Sequence, residues 1–104
     1  FDEVDMGIGG ATAAAVGDRL ARLSEEYQVL VVTHSPQVAA KGGKHLRITK
    51  FGNGNGNRTL VDELGSEERT EEIARMLAGS EVTKAARAAA NQLLAGSEVE
   101  KNLP

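Results

Sequence analysis

Val29-Leu30-Val31-Val32-Thr33 is the stretch that most narrows the folds open to this chain. Consecutive aliphatic and β-branched residues lack the two-residue alternation of a half-buried strand. They predict a short strand buried on both faces, as in a parallel sheet. The residues before it read differently. Between Ala11 and Gln28, Val16, Leu20, Leu23 and Tyr27 recur at helical spacing and form one stripe of an amphipathic helix. Asp18, Arg19, Arg22, Glu25 and Glu26 fill the other face, and Ala13 to Ala15 favour the helix while permitting close packing. A helix that feeds such a strand is the mark of an α/β unit.

His34-Ser35-Pro36 ends the strand, and Pro36 opens a short helix to Ala40 from its first position. Gly42-Gly43 breaks that helix. His45 to Phe51 alternates, with Leu46 and Ile48 on one face and Arg47 and Thr49 on the other. Residues Gly52 to Asn57 form a glycine- and asparagine-rich turn, and Thr59 to Leu64 returns as the antiparallel partner. Beyond Gly65 the chain is helical. Ser66 is expected as N-cap, Glu67 and Glu68 suit the positive end of the helix dipole, and Ile73, Met76 and Leu77 make the apolar stripe up to Gly79. Thr83 to Leu94 predicts a second, alanine-rich helix, and Gly96 to Pro104 a frayed polar tail.

With 104 residues the chain is one domain or a piece of one, and with Phe1, Tyr27 and Phe51 as its only aromatics the core is built of small side chains. It opens on Phe1 without an initiator Met, as if cut from a longer chain. The net charge is −3 and the basic residues are dispersed, which argues against a nucleic-acid surface on this segment. The lack of cysteine leaves no disulfide or thiolate metal site and fits a reducing cytosol. Neither a signal peptide nor a membrane-length apolar run appears, so Asn57-Arg58-Thr59 is a chance sequon and a cytoplasmic location is expected.

Three stretches could carry chemistry. Asp2-Glu3, at a strand end, could divide labour between holding a hydrated Mg²⁺ and polarising a water that attacks phosphorus. Alone, an acidic pair is common surface charge. Gly7-Ile8-Gly9-Gly10 permits close backbone approach or positive φ, but Thr12 stands where the dinucleotide pattern needs a sixth-position glycine. The bland reading is a tight turn into the helix. His34, after the aliphatic strand, lies where open α/β sheets bind ligands, although a single His is more often held by backbone groups alone. His45 has no evident partners and reads as structural.

The order of these features is more telling than any one of them: acid pair, glycine turn, helix, aliphatic strand, histidine. In that order the chain resembles the C-terminal part of an ABC-type ATPase head of the SMC-like branch. The segments FDEVDMGIGGATA, VLVVTHSPQVAA and EEIARMLAG bring it closer still to the RecN family of bacterial recombination and double-strand-break repair ATPases. The resemblance covers nearly the whole chain. It implies an α/β fold that is incomplete as a domain, a portion of a P-loop NTPase sheet with a β-hairpin and C-terminal helices. It further implies that Asp2 holds Mg²⁺ through water and that Glu3 is the general base. Asp5, Gly7, Gly9 and Gly10 would belong to the D-loop at a head–head interface, and His34 would be the switch histidine at the γ-phosphate. Gly9 departs from the wider SMC pattern, which carries an Asp there, and agrees with the narrower family.

These 104 residues contain no Walker A P-loop, no ABC signature and no coiled coil. The resemblance therefore implies a fragment that engages ATP and Mg²⁺ only with an upstream part of the same head. Its expected partners are that upstream part, a second head in an ATP-dependent homodimer, and DNA through the full-length protein in the nucleoid. The competing reading is a stand-alone α/β interaction module without catalysis. A weaker third is an anion binder built on the glycine turn.

Overall fold

The computed structural model describes residues 1–3, 6–52, 56–79 and 81–102, with residues 97–102 described by backbone alone. Its elements are α1 (Gly10–Leu23), α2 (Pro36–Ala39), β1 (Leu46–Gly52), β2 (Asn57–Glu63), α3 (Ser66–Ala78) and α4 (Lys84–Asn102).

Helix α1 ends earlier than the stripe predicts. Ser24 is its C-cap, and the Ser24 hydroxyl donates to the Ala21 carbonyl at 2.5 Å. Serine competes in this way for backbone groups and favours helix ends. The buried positions are Ala13 and Gly17, one turn apart, whereas Leu23 and Tyr27 are 38% and 63% exposed. Small residues win this face because α2 crosses it closely. A Cβ on Gly17 would lie 3.0 Å from Lys41 Cγ and 3.4 Å from both the Gln37 carbonyl oxygen and Val38 Cα. An ion pair of 2.9 Å between Lys41 and Asp18 closes the same contact.

The expected strand at Val29–Thr33 forms only in part. Among the described residues its pairing is a single parallel bridge, Asp2 to Val32, and Leu30 and Val32 are 70% and 42% exposed. Burial on both faces needs neighbours on both faces, and the described residues supply one short segment alongside.

Strands β1 and β2 make the predicted antiparallel hairpin, in the register Leu46–Glu63, Ile48–Val61 and Lys50–Thr59. Residues Asn53 to Asn55 of the expected turn lie outside the described residues. The alternation holds, but Leu46, Ile48 and Val61 are exposed while Arg47 and Thr49 are half-buried. Paired residues share a face, so the hairpin turns an aliphatic patch outward.

In α3 the N-cap is Gly65, not Ser66, which is the first helical residue and makes no capping bond. Glu67 and Glu68 occupy the first turn, and Gly79, at φ +87°, ends the helix with its N–H on the Arg75 carbonyl. Helix α4 is capped by Thr83, whose hydroxyl accepts from the Ala86 N–H at 3.1 Å. It continues through Gly96 to Asn102, so the expected frayed tail is helical for most of its length. A glycine costs a helix about 1 kcal/mol without ending it, and Glu98, Glu100 and Lys101 beyond it are good helix formers.

The core is as small-grained as the composition implies. Ala40, Ile73, Ala74, Ala86 and Ala90 form it, flanked by Met76, Val82, Leu93 and Leu94, and Ile73 is its large, fully buried side chain. No helix among the described residues is long and apolar enough to cross a membrane. Ile73→Ala should therefore cost about 2–4 kcal/mol in urea unfolding of the chain, and Leu77→Ala, at an exposed position, less than about 1 kcal/mol.

His45 opens the hairpin half-buried, and that burial pushes its pKa below the ordinary 6.5. The neighbouring Arg69 and Arg47 add to the lowering, against an opposing pull from Glu72. The unfolded chain thus takes up a proton near pH 6.5 before the native state does. The contribution of neutral His45 to stability is complete above that pH and is lost as the pH falls below it. Urea midpoints should drop more steeply in wild type than in His45→Gln between about pH 7 and pH 5. Equal slopes would show that His45 is not held neutral by the fold.

Candidate functional site

The site grows from the parallel contact at the start of the chain. The Val32 N–H donates to the Phe1 carbonyl at 2.8 Å, and the Glu3 N–H donates to the Val32 carbonyl at 2.7 Å. With Asp2 opposite Val32, both segments run the same way, joined through α1. That is how parallel segments must be connected, since they cannot share a tight turn. Glu3 and His34 consequently emerge together where the two segments end, the edge at which α/β sheets place their ligands.

There His34 Nδ1 donates to Glu3 Oε1 at 3.0 Å. An ionised carboxylate can only accept, so this bond needs a proton on Nδ1 and does not engage Nε2. The His34 side chain is 86% exposed and that of Glu3 33%. A contact this open is worth about 0–1 kcal/mol and does not hold the fold together. Glu3 also has φ +48°, a left-handed conformation that costs a residue with a side chain roughly 1–3 kcal/mol and that gathers at functional sites. A half-buried carboxylate on a strained backbone, beside an exposed imidazole, contributes little to stability. It is suited to accepting a proton and to offering a hydrogen bond to a bound group.

The loop carrying His34 is shaped by its neighbours. The Ser35 N–H donates to Thr33 Oγ1 at 2.9 Å, and Ser35 Oγ donates to Gln37 Oε1 at 3.1 Å. The same hydroxyl caps α2 by accepting from the Val38 N–H. Gln37 in turn lies against Gly10, where a Cβ would meet Gln37 Nε2 at 3.4 Å. The glycine turn and the histidine loop are thereby in contact through one side chain.

The predicted residues divide accordingly. Glu3 and His34 are brought together, and Asp2 is exposed one residue upstream. Gly10 begins α1 beside the histidine loop. Gly7 takes φ +80°, which requires glycine, and Gly9 is the N-cap of α1; both face open space. Asp5 lies outside the described residues. Thr33, Ser35 and Gln37 escape a reading by motif, although Ser35 before Pro36 is a legible capping pair. Two clefts of about 420 and 520 Å³ lie along the hairpin and α3, sharing Arg47, Glu72 and Arg75, and neither is lined by Glu3 or His34.

No protein-family model matches the chain. Curated relatives do. It is 54% identical over 94 residues, 90% of its length, to the DNA repair protein RecN of Xylella fastidiosa strain 9a5c. Against the RecN of Streptomyces coelicolor it is 48% identical over 101 residues, and against that of Haemophilus influenzae 48% identical over 94 residues. The chain spans 17% of the Xylella protein and 18% of the Streptomyces protein. Identity of this order along nearly all its length means that the chain belongs to the RecN family, of which it represents the C-terminal portion.

Proposed function

We propose that this segment is part of the ATP-hydrolysing head of a RecN-type DNA repair protein, in which it supplies the residues that activate water. The observation that carries the reading is the pairing of Glu3 with His34 at 3.0 Å, at the ends of two parallel segments. In this reading Glu3 is the general base: its Oε2 accepts the proton of the attacking water while Oε1 is held by His34. The His34 ring orients that carboxylate through Nδ1–H and, when it carries a proton on Nε2 as well, donates that second N–H to the γ-phosphate. Gly7, Gly9 and Gly10, with Asp5, form the D-loop against a second head. A Cβ on Gly7 or Gly9 would meet nothing within 4 Å, which leaves room for close approach.

Asp2 fits a role toward Mg²⁺. No three acidic or histidine side chains converge on a metal site among the described residues. Mg²⁺ keeps several waters and is often held by one or two carboxylates, a demand that the exposed Asp2 can meet through water. When bound, the metal would neutralise charge on the transferring phosphate. The exposed Phe1, Leu30 and Val32 fit coverage by the remainder of an ABC-type head, which would also bring the P-loop. Through such heads the full-length protein would act on broken DNA in the cytoplasm, as an ATP-dependent homodimer.

In the full-length protein, Glu3→Gln should keep ATP affinity near wild type and lower turnover by at least about a hundredfold, the scale of a lost general base. Single-turnover hydrolysis with separately measured nucleotide binding checks this. Turnover at the wild-type rate would remove Glu3 from the mechanism.

A further inference from the structure

We propose that Arg69, on α3, is a positioning residue for the His34 loop. Its Nη2 sits among three backbone carbonyls, those of Ala39 at 3.1 Å, Ala40 at 3.3 Å and Gly42 at 2.5 Å. These belong to the last turn of α2 and the residues after it. The closing carbonyls of a helix have no partners within the helix, and a guanidinium is well made to gather them. At its other end α2 is capped by Ser35, next to His34, so three helical residues, Pro36 to Val38, separate the loop from the Arg69 clamp.

The clamp has a rigid base. The Arg69 N–H is bonded to the Gly65 carbonyl within the first turn of α3, and the neighbouring Ile73 and Ala74 are fully buried against Ala40 and α4. The loop is held locally through Thr33, Ser35 and Gln37, and α2 packs on α1 at Gly17. Through carbonyls 27 to 30 positions before it in sequence, Arg69 thus ties the element that follows the exposed His34 to the best-packed part of the chain. Without it, α2 can shift as a unit and carry His34 away from Glu3. Displacements of this kind, on the order of 1 Å, reduce rate rather than binding and can cost up to about a hundredfold.

The inference rests on the reading of Glu3 and His34 as hydrolytic residues, and the test separates the two. Steady-state ATP hydrolysis is measured for the full-length protein and its variants Arg69→Ala, Arg69→Lys, His34→Ala and the Arg69→Ala/His34→Ala double. Arg69→Ala should lower kcat at least about tenfold with KM for ATP within about twofold. Arg69→Lys should recover part of the loss, because an ammonium can still reach these carbonyls. The double variant should be no slower than His34→Ala, since residues acting through one another are not additive. Amide exchange should quicken at Val38, Ala39 and Ala40 in Arg69→Ala and stay unchanged in α4.

The proposal is overturned if His34→Ala is impaired while Arg69→Ala turns over like wild type, or if the two losses multiply. Exchange protection lost throughout the segment in both Arg69 variants would make Arg69 a general stability residue and would equally overturn it. Wild-type turnover in His34→Ala is a different failure: it removes the site reading itself and the positioning role with it.

Discussion

Two backbone hydrogen bonds, Val32 N–H to Phe1 and Glu3 N–H to Val32, set the geometry on which the site depends. They align Phe1–Glu3 beside Leu30–Val32 in parallel, and that direction alone brings both C-terminal ends to one edge. An antiparallel pairing would put Glu3 and His34 at opposite ends. The connection through α1 makes parallel pairing possible, and Gly17 lets α1 lie close enough to α2 to keep the histidine loop near the glycine turn. The chain of dependence runs from a small residue in a helix to a carboxylate beside an imidazole.

Stability and chemistry are held by different parts of the segment. The packed region is α3, α4 and the end of α2, built on Ile73 and alanines. The Glu3–His34 edge is open, with a strained backbone at Glu3. In the proposed reading, an open edge is what a composite nucleotide site needs before the rest of the head closes over it, and Arg69 is the tie between the two regions. The outward aliphatic face of the hairpin, Leu46, Ile48 and Val61, is a further surface that the described residues leave uncovered.

Local signals carried the element types well. The hairpin and Gly79 readings rest on backbone rules that act within a few residues, and both are found where those rules put them. The order of acids, glycines and histidine likewise marks Glu3 and His34 as candidates, and the two are in contact. What the sequence hid is long-range. Periodicity in α1 ranks the larger Leu23 and Tyr27 above Ala13 and Gly17, but the close crossing of α2 reverses that order. Nothing near Arg69 announces three carbonyls from a distant helix. The double burial expected at Val29–Thr33 depends on neighbours beyond this segment's described residues, so no local pattern could decide it. The polar run from Gly96 reads as a frayed tail, whereas the chain stays helical through Gly96 to Asn102.

The central claim is that Glu3 and His34 act together at the phosphate of a bound nucleotide. A structure of the full-length protein with Mg²⁺ and a non-hydrolysable ATP analogue tests it most directly. The account predicts the γ-phosphate at the Glu3–His34 edge, with His34 in direct hydrogen-bond reach, about 3 Å, and Glu3 on the attacking water. A γ-phosphate bound more than about 10 Å from both side chains, beyond the span of one bridging water, would contradict it.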